Sequence, residues 1–246
     1  EVAILTVDNP PVNPLSDGVR TGLHESLVKA EEDDTVKGVV LTGNGRAFIA
    51  GADISEFGGN VEGIPLNEVF NKLEFCKKPV VAAINGVALG GGLETALCCN
   101  YRIASKTAFV GLPEVNLGLL PGGGGTQRLP RLIGPGEALK MMLSGSHVPS
   151  KKALEMGIVD KISDDVVAES IDFIKEMAEN NDNHPRVRDK NEKMLEARGD
   201  ENVLLDAQAM AAKARKGQFA PGQIIKCVEA AINIDDFDVF RGSKAV

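Results

Sequence analysis

Two runs of strand length, KGVVLTG at 37–43 and PVVAAING at 79–86, lack the polar alternation of a half-exposed strand. They read as strands buried on both faces, the situation of a parallel sheet covered by helices. VAILTV at 2–7 is another short β-rich run, stopped by the turn-forming DNPPVNP. Ser16 stands where it can cap a helix through VRTGLHESLVKAEED, whose apolar residues Val19, Leu23, Leu27 and Val28 fall close to i, i+4 and i+8. LNEVFNKLEFC reads as a helix between the two buried runs. Next comes LGGGLETALCC, then the extended pieces YRIAS and TAFVGLPEV. Strand alternating with helix predicts an α/β architecture with largely parallel strands.

The pattern changes after about residue 135 and becomes almost wholly helical: GEALKMML, KKALEMGI, DDVVAESIDFIKEMAEN, ENVLLDAQAMAAKARK and QIIKCVEAAINI. Residues 180–202 are highly charged and poor in apolar side chains, so they read as an exposed connector. The 246 residues are enough for one large domain or two small ones. The expected division is a core over 1–180 and a charged connector with C-terminal helices over 181–246. The stripe Val203, Leu204, Ala207, Met210 and Ala211 is too apolar for a solvated tail and calls for a surface to pack on.

Charge and special residues remove several classes of function. With 27 basic against 35 acidic residues, net -8, the chain is a poor candidate for nucleic acid, where counterion release needs a basic face. No apolar run approaches the roughly 18–20 residues that span a bilayer. Cys76, Cys98, Cys99 and Cys227 show no CxxC spacing and read as small core residues of a reducing compartment. His24, His147 and His184 are far apart and read as surface residues, so no metal site is expected.

Three stretches carry chemistry. In LGGGLETAL at 89–97, a helix beginning near Gly91 leaves its first amides unpaired at its positive end, and glycine lets a ligand oxygen approach them. Two readings fit the glycines equally: an oxyanion hole, or close packing of strand against helix. In FIAGADISEF at 48–57, Ile49-Ala50-Gly51-Ala52 offers a second close-approach backbone, and Asp53 stands where it can cap the following turn. In LPEVNLGLLPGGGGTQRLPRLIG at 112–134, Glu114 is either a carboxyl desolvated among apolar neighbours or an exposed loop glutamate.

Together and in this order, these stretches resemble the crotonase, or enoyl-CoA hydratase/isomerase, superfamily over roughly residues 1 to 180. The resemblance rests on Ala50-Gly51-Ala52-Asp53-Ile54, NGVALGGGLE at 85–94 and PEVNLGLLPGGGGTQRLPR at 113–131. NPPVNPLS and KARKGQFAPGQIIKCVEAAINI are similar, more narrowly, to the N-terminal hydratase/isomerase part of multifunctional fatty-acid β-oxidation enzymes and its linker. The resemblance implies an α/β fold, a spiral of ββα units followed by an all-helical C-terminal region.

It also implies the site. The amides of Ala52 and Gly91 would hold a thioester oxygen, Glu94 would activate water and Glu114 would supply a proton. Arg46, Ala50, Asp53, Ile54 and Gly90 would line the acyl-CoA, with Arg46 either meeting a CoA phosphate or standing as a solvated loop arginine. The implied reaction is hydration of a 2-trans-enoyl-CoA, with Δ3,Δ2-isomerisation at the same site. Other readings are a crotonase-fold hydrolase or dehalogenase, or an idle binding homologue. The expected partner is the acyl-CoA thioester, with no nucleic acid, no membrane and either a monomer or a homo-oligomer. No cofactor is expected, since nicotinamide belongs to a dehydrogenase part that would lie beyond Val246. The place would be the cytoplasm in a bacterium and the peroxisome in a eukaryote.

Overall fold

The apolar runs become the central strands of a parallel sheet. The computed structural model describes residues 1–53, 56, 63–180, 184–234 and 237. β1 (Val2–Val7) leads through α1 (Asp17–Glu32) to β2 (Gly38–Gly43), which turns at once into β3 (Ala47–Ile49). After α2 (Leu66–Glu74) the same move recurs: β4 (Val80–Ile84) turns into β5 (Val87–Leu89) and α3 (Gly91–Cys98). It recurs again as β6 (Tyr101–Ser105), β7 (Phe109–Gly111), a 3₁₀ turn (Glu114–Leu117) and α4 (Gly125–Ile133). The first strands of these units join one sheet, in the order β1-β2-β4-β6-β9, and the second strands join another, β3-β5-β7-β8. β9 (Lys161–Ser163) and β8 (Val148–Pro149) come later in the chain. Every pairing is parallel except β7 with β8. This is the spiral of ββα units expected from the sequence.

Side chains explain why these strands lie inside. Along β2, Val39 and Leu41 enter the main core while Val40 points to the opposite face; β4 sends Val80, Ala82 and Ile84 one way and Val81 and Ala83 the other. The second face is closed by α7 (Val166–Asn180), whose Ile174 packs there with Val166. Phe173 of α7 meets Tyr101 edge to face with ring centroids 4.9 Å apart. A strand covered on both sides needs no polar alternation, which is what the sequence displays.

α5 (Pro135–Ser144) and α6 (Ser150–Met156) follow the last unit, and α8 (Glu192–Ala197), α9 (Glu201–Ala214) and α10 (Ala220–Asn233) complete the described helices. α10 packs on α4 and α5, and α9 on α5. The stripe on α9 lies against the main core, with Ala207 buried and Val203, Leu204, Met210 and Ala211 half-buried. No helix among the described residues is long and apolar enough to cross a membrane.

Two sequence expectations need correction. The charged stretch at 180–202 is not simply an exposed connector, because Val187, Arg188 and Met194 are buried. The reason is electrostatic as well as apolar: the Arg188 guanidinium reaches Glu74 Oε2 at 3.4 Å. Ser16 holds the N-cap position of α1, yet its side chain makes no capping bond. Its hydroxyl accepts from Asn9 Nδ2 instead (3.0 Å), and the Glu56 carboxylate takes the Asp17 amide at 2.8 Å.

Ile224 of α10 is fully buried in the main core, so this helix is part of the fold rather than an appendage. Ile224→Ala should lower the unfolding free energy by about 2–5 kcal/mol. Urea denaturation followed by circular dichroism would show it. A separate early transition, leaving the main one unmoved, would contradict it.

Candidate active site

The three glycines of LGGG each meet a different steric demand at the start of α3. Gly90 has φ +54°, and a Cβ on it would lie 3.1 Å from Glu114 Oε1. A Cβ on Gly91 would lie 3.4 Å from the Ala52 nitrogen, and one on Gly92 would stand only 1.9 Å from the Ile49 carbonyl oxygen. Close packing and ligand approach are therefore both served: Gly92 packs against β3, while Gly90 and Gly91 keep the space beside Ala52 and Glu114 clear. The two sequence readings of this motif are complementary.

Ala52 is brought there by the segment that follows β3. Leu15 and Ala52 form an isolated parallel bridge, with the Leu15 amide donating to Gly51 O at 2.9 Å. The Ala50 amide donates to Val12 O at 3.1 Å. Asn13 secures this crossing, since its Nδ2 donates to Ala47 O at 2.9 Å. The Ala52 and Gly91 amides themselves donate to no partner among the described residues. Neighbouring N–H groups without an acceptor among the described residues, one of them in the first turn of a helix, suit an oxygen that gains negative charge.

Glu94 follows on the first turn of α3 and is buried. Its Oε1 accepts from the Gly123 amide at 2.8 Å and the Gly125 amide at 2.7 Å. The loop can wrap this closely because it is glycine: a Cβ on Gly123 would come within 2.7 Å of Glu94 Oε2, and one on Gly125 within 2.9 Å of Oε1. Glu114 opens the 3₁₀ turn after β7, and its Oε2 is buried with no hydrogen-bond partner. Burial, then the Glu94 charge, push Glu114 up to about 8. Burial also raises Glu94, against the two amides and the Arg128 charge, which favour its anion. Neighbouring buried carboxyls do not both ionise readily. Two loop amides and the Arg128 charge favour the anion on Glu94, whereas Glu114 has only its own amide to do so.

A family model described as enoyl-CoA hydratase/isomerase matches residues 1–222. The chain belongs to the enoyl-CoA hydratase/isomerase family. The peroxisomal bifunctional enzyme of Cavia porcellus is 40% identical over 94% of this chain and 32% of its own length. A probable enoyl-CoA hydratase of Bacillus subtilis is 46% identical over 64% of each chain. The crystal structure of an enoyl-CoA hydratase from Bacillus anthracis covers 97% of this chain and 90% of its own, with a TM-score of 0.66 at 30% identity. The chain spans about a quarter to a third of the length of the peroxisomal bifunctional enzymes it matches.

Among the residues singled out from sequence, Glu94, Glu114, Ala52, Gly90 and Gly91 converge here, with Ala50 half-buried one residue before Gly51. Asp53 is half-buried, and its carbonyl accepts from the Glu56 amide at 3.2 Å. Ile54 lies outside the described residues. Arg46 is exposed at the opening of β3, the opposite end of that strand from Ala50. Sequence reasoning missed the part played by the amides of Gly123 and Gly125, although the glycine run at 122–125 was in view. It also missed Arg128 and Glu74 behind them, since charged side chains are rarely found fully buried.

The ionisation of Glu114 has a stability signature. Its folded value of about 8 lies above the ordinary 4.5, so between those pH values the native state binds the proton more tightly than the unfolded state. Stability from this group is full below pH 4.5 and is lost as pH rises through about 8. The melting temperature of Glu114→Gln minus that of the parent should therefore climb over that window and level off above it. A difference independent of pH, read by scanning fluorimetry in matched buffers, would show that Glu114 titrates normally.

Proposed function

We propose that this chain adds water across 2-trans-enoyl-CoA and, at the same site, moves a Δ3 double bond to Δ2. The reading rests on one observation: two neighbouring carboxyls of unequal environment, Glu94 buried and Glu114 half-buried, lie at the start of α3, where the amides of Ala52 and Gly91 have no acceptor among the described residues. The thioester oxygen sits between those amides, where each donor is worth about 3–4 kcal/mol once the oxygen becomes an enolate. Glu94, the ionised partner, takes a proton from water as its hydroxyl bonds to C3. Glu114, the protonated partner, gives its proton to C2. The elements of one water have then been added, and both carboxyls are restored when Glu94 returns a proton to solvent and Glu114 recovers one.

Isomerisation uses the same oxyanion contact and needs only one mobile proton. The carboxylate form of Glu114, whose Oε2 has no hydrogen-bond partner, takes a proton from C2 and returns it to C4. The substrate is an acyl-CoA thioester, and Arg46 remains our candidate contact for a CoA phosphate. Water and the two carboxyls supply every atom and proton of the hydration, so EDTA should not affect it. In a eukaryotic cell we place the activity in the peroxisome, and in a bacterium in the cytoplasm.

Glu94→Gln and Glu114→Gln should each reduce crotonyl-CoA hydration by roughly 10²–10⁴-fold, with thioester binding by calorimetry nearly intact. Turnover of a 3-enoyl-CoA should vanish in Glu114→Gln and suffer less in Glu94→Gln. For the parent, kcat/KM for hydration should fall as pH rises through about 8, where Glu114 loses its proton. Parental rates in both reactions for Glu114→Gln would remove it from the mechanism.

A further inference from the structure

Arg128 of α4 is fully buried, and its guanidinium meets three partners at once. Nε donates to Glu74 Oε1 at 2.8 Å and Nη2 to Glu74 Oε2 at 2.7 Å, a two-pronged pair between α4 and the last residue of α2. Nη1 donates to the Gly123 carbonyl at 3.0 Å. Gly123 is the residue whose amide holds Glu94 Oε1, so the guanidinium grips one end of a peptide unit next to the carboxylate contact. The Arg128 amide adds a bond to Gly124 O at 2.9 Å. A Cβ on Gly124 would lie 2.3 Å from Nη1, so the loop is folded directly over the guanidinium.

We propose that Arg128, clamped by Glu74, is a positioning residue for the reaction: it shapes the Gly123–Gly125 loop around Glu94 and supplies the positive charge that keeps Glu94 ready to accept a proton. The inference rests on Glu94 being the base of the hydration reaction. Glu114 and Arg128 interact with Glu94 directly, and Glu74, Arg131 and Arg188 cluster around Arg128, with the guanidiniums of Arg131 and Arg188 against the Phe237 ring. Burial, then the positive charges of Arg128 and Arg188, push Arg131 down to about 10, so the three guanidiniums share one positive field. Within this set, Glu74 opposes that field. Taking away the Arg128 charge and taking away the Glu74 charge must therefore move Glu94 in opposite directions.

The test is the acid limb of the pH profile of kcat/KM for crotonyl-CoA hydration, which reports protonation of the base. Arg128→Gln should move the limb up by about one pH unit, the low end of the usual effect of an opposite charge on a carboxylate. Glu74→Gln should move it down. Arg128→Lys keeps the charge and gives up the two-pronged geometry, so its limb should stay near the parental value while kcat falls roughly tenfold or more, as expected for a displaced catalytic group. A merely structural pair would lower the melting temperature and leave the limb in place, or shift it the same way in both charge-removing variants; either result overturns the proposal. If Glu74→Gln does not fold, Arg128→Gln and Arg128→Lys still decide: coincident limbs would overturn it. Glu94→Gln run in parallel separates the two claims. Parental activity in that variant defeats the assignment of the base, whereas loss of activity there with unmoved limbs in the Arg128 variants defeats this inference alone.

Discussion

Much of the molecule depends on a carboxylate and a guanidinium placed where water cannot reach them. Glu74 ends α2, Arg128 lies in the middle of α4, and both side chains are fully buried. Burying either charge alone carries a desolvation penalty of several kcal/mol, so each is tolerable only with the other in place. The pair thus fixes the distance between two helices that belong to different turns of the spiral. It also recruits Arg188 from the segment after α7, which explains why a stretch rich in charge lies inside rather than in solvent. Apolar packing holds the rest of the core, but it has no comparable sense of direction. The two-pronged pair does, and through the Gly123 carbonyl that direction reaches the site.

At the site itself the decisive quantity is asymmetry. Glu94 and Glu114 are the same residue type, close enough for each to feel the other's charge. Two loop amides favour the anion on Glu94, whereas Glu114 has only its own amide and an Oε2 without a partner. Two identical carboxyls would share a proton without assigning roles. Unequal surroundings separate an acceptor from a donor without any change of residue type.

The sequence disclosed the parts that follow from pattern. The runs around Val39–Leu41 and Val80–Ile84 had to be buried strands because nothing in them alternates. LGGGLETAL announced a helix start with room against it. The parts that stayed hidden are those in which a polar residue behaves against type. Glu74 and Arg128 occupy ordinary helical positions, and only the fold brings residues 74 and 128 together. Ser16 carries the preferred chemistry for a cap and gives its hydroxyl to Asn9, because a longer carboxylate, Glu56, reaches the helix end first. The glycine run at 122–125 is conspicuous in the sequence, but its purpose depends on which side chain it encloses, and that partner lies some thirty positions upstream.

The succession of ββα units also divides labour. The first unit delivers Ala52 from the end of β3, the second delivers Gly91 and Glu94 beyond β5, and the third delivers Glu114 beyond β7. In the reaction proposed above, activation of the carbonyl would draw on two units, while the group assigned to the C2 proton belongs to the third alone. An alteration confined to the segment after β7 would then change the proposed proton chemistry while the amides of Ala52 and Gly91 stay where they are. On that reading, a change of chemistry would need the editing of one loop only, on a scaffold whose carbonyl contact is left untouched.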